Sequence, residues 1–267
     1  MTRNIQKLID NNEVEKVTEP NLYYKIVKKE LEDWQGKMLK KSGIVNNFSK
    51  NIQEKIQDLV PEKVQDTITA AIKAMVETVL DASSLLTETE VMKNPALSES
   101  DFLVERAYKT YYKVAMAQGI GFGMGGILIN LADLPALLSI KVKFLFDCAK
   151  LYGFDVEDRS ERIFMLYVFQ LAFCGDEHRR EIFPIMINWD KHKTDIEVNW
   201  RKFQIEYRDY MDIAKLMQLL PVVGAAAGGV ANHNLMQKLK ITAMNCYRFR
   251  VITTQIETEN FLPDIYD

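Results

Sequence analysis

The chain has 267 residues, 48% hydrophobic and 27% charged, with a net charge of −3. This length can bury a sizeable core, as one large domain or two small ones. The near balance of charge offers no global basic field for nucleic acid, and no zinc-finger or RNA-binding signature accompanies it.

The first residues, MTRNIQKLIDNNEVEKV, alternate apolar and charged positions without an apolar run, so no secretory signal is expected and a cytoplasmic location is the default. Residues 1–60 form a basic, aromatic helical region. Seven lysines lie between Leu22 and Lys50 against Glu30, Glu32 and Asp33, with Tyr23, Tyr24, Trp34 and Phe48 interleaved. Two readings apply: a helix lying on an anionic membrane, or a solvated helix packing its aromatics on the body. Residues 61–257 read as one helical domain. From Pro61, Val64, Ile68, Ile72, Met75 and Val79 fall on one stripe, which predicts a helix. The polar segment Thr87 to Asp101 reads as a loop. Leu134, Leu138, Val142, Leu145, Ala149 and Tyr152 form a second stripe, with Asp133 as N-cap and Gly153 as C-cap. At Asp158 the run DRSE resembles a capping box and opens a third helix. Further helices are predicted over roughly 182–189, 198–220 and 228–255, before an acidic tail at 258–267. Strand-type alternation is scarce, and the fold reads as all-α.

Two stretches carry no charge. Nineteen residues separate Lys113 from Asp133, and twenty-two separate Lys215 from Lys238 with His233 neutral. The first places Gly119, Gly121, Gly123, Gly125 and Gly126 close together; the second contains Gly224, Gly228 and Gly229. Small residues four apart give a helix a flat face that another backbone can approach closely. Three readings follow: tight packing at the centre of a helical domain, a surface that contacts lipid or holds an apolar ligand, and true membrane spans. Asn130, Asp133, Asn232 and His233 are the polar groups positioned to line such a surface.

The spacing of Gly121, Gly123 and Gly126 matches G-x-G-x-x-G. A dinucleotide site needs a strand before these glycines and an acid about 20 residues later, within a βαβ pattern that is missing here. No Gly-Lys-Ser/Thr occurs, so a Walker A loop is excluded. Cys148, Cys174 and Cys246 are widely spaced without C-x-x-C, which suits a reducing compartment. Cys174 and His178 are four apart, but Gly175 suggests a turn and no second pair completes a zinc site. Asp133 and Asp155 read as helix caps, and no catalytic constellation, cofactor site or metal site emerges. These residues argue against an enzyme. An uncharacterised activity built on Asn130, Asp133 and His233 ranks lowest.

AQGIGFGMGGILINLADLPALLSIKVKFLFDCAKLYGFD, with the helix after Glu157-Asp158-Arg159, resembles the EcsC family. LLPVVGAAAGGVANHNLMQKLKITAMNCYRFR is similar to that family's second signature. The resemblance covers about 20–255 and implies a predominantly helical protein whose namesake is encoded beside an ABC-type exporter linked to secretion. It implies no catalytic residues or cofactor. The expected function is a non-enzymatic accessory protein, peripheral at the inner face of the cell membrane. It would bind lipid or an ABC-type transporter through the glycine-rich helices. The alternative is a soluble helical protein–protein interaction module in which those stretches are only core.

Overall fold

A computed structural model of the chain describes residues 20–40, 62–81, 87–121, 134–198 and 224–261. Among the described residues there are eight α-helices and no strand: α1 Pro20–Leu39, α2 Glu62–Asp81, α3 Leu97–Gly121, α4 Leu134–Leu151, α5 Arg159–Phe173, α6 Asp176–Ile187, α7 Trp189–Val198 and α8 Gly224–Phe261. The all-α expectation holds. The helix expected over 198–220 lies outside the described residues, apart from its first position.

The innermost helix is α5. Thirteen of its fifteen residues are buried, including Phe164, Phe169 and Phe173, so it is enclosed on nearly every side. Its start is fixed locally. The Asp158 carboxylate accepts the Ser160 amide at 2.8 Å, the arrangement of an N-cap. The expected capping box is only half present, because Glu161 turns inward to pair with Arg250 instead of reaching back to the cap. Asp155 does not cap a helix; it accepts the Glu157 amide at 2.9 Å in the turn before α5.

The end of α4 bears out Gly153 as a cap. The Phe154 amide donates to the Ala149 carbonyl and the Gly153 amide to the Lys150 carbonyl, both at 3.0 Å, which is a Schellman closure. Gly153 has φ +85°, and a Cβ there would lie 3.1 Å from the Met92 carbonyl oxygen, so a side chain is disfavoured both by the backbone conformation and by the tight contact. The polar segment before α3 is shorter than expected. It becomes helical at Leu97, because Leu97, Ser100, Asp101 and Val104 turn one face into the core. The 182–189 helix is in fact two. α6 begins at Asp176 after the Gly175 break and ends at Ile187, and α7 begins at Trp189.

The longest element, α8, has 38 residues and is roughly 57 Å long at 1.5 Å per residue. It packs most extensively along α3 and also touches α5, α4, α1 and α6. By contrast, α1 lies at the edge of the body, against α6, α8 and α3. Val27, Leu31 and Trp34 are its buried apolar residues. Its carboxyl end is tied down by Arg179 of α6, whose Nε donates to the Met38 carbonyl at 3.1 Å.

Candidate functional site

The most chemically distinctive feature of the described residues is a buried ionic centre where α1, α3, α4 and α8 meet. Asp101 of α3 accepts from Arg248 of α8 through Nε, 3.0 Å from each carboxylate oxygen, and through Nη2 at 2.8 Å. It also accepts short hydrogen bonds from the hydroxyls of Tyr23 on α1 and Tyr152 just beyond α4. Arg248 Nη1 donates to Glu30 of α1 at 3.2 Å and to Asn245 at 3.3 Å. Burial pushes both tyrosine hydroxyls well up, and the adjoining Asp101 charge adds to the shift. Desolvation also raises the Glu30 carboxyl, against the pull of Arg248.

A second pair, Lys240 with Glu105, continues the α3–α8 seam, with the ammonium 4.6 Å from the centroid of the Tyr108 ring. Burial pushes the Tyr108 hydroxyl up to about 12. Asp101 pairs with Arg248 and Glu105 with Lys240, so α3 and α8 run antiparallel. That course directs the Gly119–Gly121 end of α3 toward the Gly224 end of α8. A third pair, Arg250 with Glu161, joins α8 to α5. Its guanidinium carbon lies 3.9 Å from the Phe154 centroid and 4.5 Å from that of Phe164. Lys141 on α4 is fully buried, and burial brings its ammonium down to about 8.

These groups are arranged to hold helices together. Four donors occupy the Asp101 carboxylate, which leaves no clear lone pair for a substrate proton. Burial raises the Cys148 and Cys246 thiols, the opposite of what a nucleophile needs. Among the described residues no group of three His, Cys, Asp or Glu could hold a metal ion.

The outward side of α1 is different. Leu22, Ile26 and Leu39 are 50%, 37% and 42% exposed, among exposed Lys25, Lys28, Lys29 and Lys37 and the acids Glu32 and Asp33. Its aromatic residues are turned the other way: Trp34 packs edge-on to Phe183 with ring centroids 5.3 Å apart. Of the two readings of this region, packing on the body describes the aromatic side, and the basic side stays in solvent.

The sequence-predicted residues divide in two. Gly123, Gly125, Gly126, Asn130 and Asp133 lie outside the described residues. Gly119 and Gly121 end α3, while Gly224, Gly228, Gly229, Asn232 and His233 belong to the first turns of α8. A helix precedes Gly121 where a dinucleotide site would need a strand. No described helix is long and apolar enough to cross a membrane. The ionic centre was missed by sequence reasoning. Its one local signal is the placement of Lys240, Arg248 and Arg250 inside a mostly apolar run of α8.

The EcsC protein family model matches residues 25–252. The chain belongs to the EcsC family. It is 43% identical to Protein EcsC of Bacillus subtilis (strain 168) over 220 residues, covering 82% of this chain and 92% of that protein. It is 31% identical to Uncharacterized protein YdbA of the same organism over 176 residues, 64% of this chain and 65% of that one. No solved structure matches. The matched span of this EcsC-family chain takes in the ionic centre from Glu30 to Arg250, while Tyr23 lies just before it.

Proposed function

We propose that this EcsC-family protein is a non-enzymatic accessory protein that docks on the anionic surface of a lipid bilayer. The observation that carries the reading is the outward face of α1, where Leu22, Ile26 and Leu39 stand among Lys25, Lys28, Lys29 and Lys37. Exposed aliphatic side chains among four lysines, which outnumber the two acids Glu32 and Asp33 on this side, match the boundary between acyl chains and acidic headgroups. Each lysine near such a surface contributes about 1 kcal/mol. The chain as a whole carries −3, so this attraction is local to α1. The glycine-rich ends of α3 and α8 accompany this reading as close-packing surfaces.

Co-flotation with vesicles of phosphatidylcholine and phosphatidylglycerol tests it. Binding is expected, with loss in pure phosphatidylcholine and at high salt. Lys25→Glu with Lys29→Glu should lower vesicle affinity by well over tenfold. A protein that stays at the bottom of the gradient at low salt refutes the reading and favours the soluble interaction module. Binding to membranes only when an ABC-type transporter is present would make the partner a protein.

A further inference from the structure

We propose that α1 is a releasable strap. On an anionic bilayer it leaves the body while remaining helical, carries Tyr23, Tyr24 and Trp34 into the interface, and uncovers Phe183 and Phe249. This rests on the membrane reading above and adds a movement to it.

Three observations carry it. The first is how α1 is anchored. Among its polar ties are the Tyr23 hydroxyl on Asp101, Glu30 on Arg248, and the Met38 carbonyl on Arg179. Each of those body groups has another partner within the body. Asp101 keeps Arg248 and Tyr152, Arg248 keeps Asp101 and Asn245, and Arg179 keeps Asp176 at 2.6 Å. Breaking these ties therefore strands no buried charge among Asp101, Arg248 and Arg179, the outcome that makes breaking most buried ion pairs so costly.

The second is the charge count at the centre. With α1 in place, the carboxylates of Asp101 and Glu30 share one guanidinium. Without it, one carboxylate faces one guanidinium. The third is the shape of α1 itself. Its basic, aliphatic side faces outward and meets the headgroups first; on release α1 rolls over, so that its inner side, with Tyr23, Tyr24 and Trp34, residue types that favour the bilayer interface, enters it. Hydrophobic burial has no directional preference, so Val27, Leu31 and Trp34 are as well covered by lipid as by the body. Phe183 and Phe249 regain cover if the uncovered side turns to the same bilayer.

The test uses the full chain and vesicles of phosphatidylcholine and phosphatidylglycerol with brominated acyl chains, which quench tryptophan at the membrane. Wild type should lose part of its emission on binding, and Trp34→Phe, checked for folding by circular dichroism, should not show that loss. Tyr23→Phe removes one tie to the body, so it should bind the vesicles about fivefold more tightly. Co-flotation with equal quenching in wild type and Trp34→Phe overturns the strap but leaves the membrane reading standing. So does a Tyr23→Phe affinity equal to that of wild type. Absence of co-flotation ends both.

Discussion

Helices α5 and α1 are both aromatic and both helical, yet they sit in the body in opposite ways. α5 buries thirteen of fifteen residues and has no solvent side. α1 buries a stripe built on Val27, Leu31 and Trp34 and keeps its lysines in water. Both hold α8 through a carboxylate, Glu161 to Arg250 and Glu30 to Arg248. The Glu161 side chain is only 6% exposed, whereas that of Glu30 is 24% exposed. Desolvation raises both carboxyls. The difference teaches that an ion pair of the same type can belong to the core or to a partly exposed edge. What surrounds it decides which.

The largest effects should come from breaking the centre. Asp101→Ala leaves the Arg248 guanidinium buried without its main counterion, and breaking such a pair costs about 3–5 kcal/mol. Urea unfolding should show a large share of the chain's stability gone, since domains typically have only about 5–15 kcal/mol in total. A loss under about 1 kcal/mol would mean that Asp101 is not the hub. Phe164→Ala should cost about 3–5 kcal/mol and lower the global transition, because Trp189, Tyr247 and Arg250 all rest on that ring. Trp34→Ala should act locally instead. Amide exchange should quicken across α1 while α5 stays protected. Equal quickening in both helices would erase the contrast between them.

Lys141 gives a smaller and pH-dependent effect. The fully buried ammonium falls from its ordinary 10.5 to about 8, a shift worth on the order of 3 kcal/mol against the folded state at neutral pH. Between about 8 and 10.5 the unfolded chain holds a proton at this site that the folded chain has shed, so this group's penalty shrinks as pH rises. The stability margin of Lys141→Met relative to wild type should therefore shift visibly against the variant between pH 7 and pH 9.5. Chemical denaturation at the two pH values measures the margin. A margin that does not change with pH removes Lys141 from the account.

Much of the fold was legible because its signals are local. The Asp158 cap, the Gly153 closure and the stripes of α2 and α4 each occupy a few turns of sequence, and helix geometry turns them directly into structure. The ionic centre was not legible, because its partners are far apart in the chain. Asp101 and Arg248 are separated by 147 positions, Glu105 and Lys240 by 135, and Glu161 and Arg250 by 89. A charged residue on a helix reads as solvated until the facing helix is known. Glu161 shows how this misleads: its place in DRSE fits a capping box, and only the position of Arg250 draws it inward.

Glu30 should show the smallest effect, and its direction runs against a simple count of ion pairs. Losing a 3.2 Å contact to Arg248 would ordinarily be scored as destabilising. Yet desolvation outweighs that guanidinium and raises the Glu30 carboxyl, so holding it ionised against the body opposes folding. The folded chain binds this proton more tightly than the unfolded chain does. Glu30's contribution is therefore fully present below the ordinary carboxylate pKa of about 4.3 and is lost as pH rises through the higher folded value. Glu30→Gln cannot ionise and still offers a carbonyl oxygen to Arg248. It should match wild type near pH 4 and equal or exceed it at pH 7 by less than about 1 kcal/mol, the range of partly exposed pairs. A clear loss of stability at pH 7 would place Glu30 with Glu161 as a core residue and fix α1 to the body.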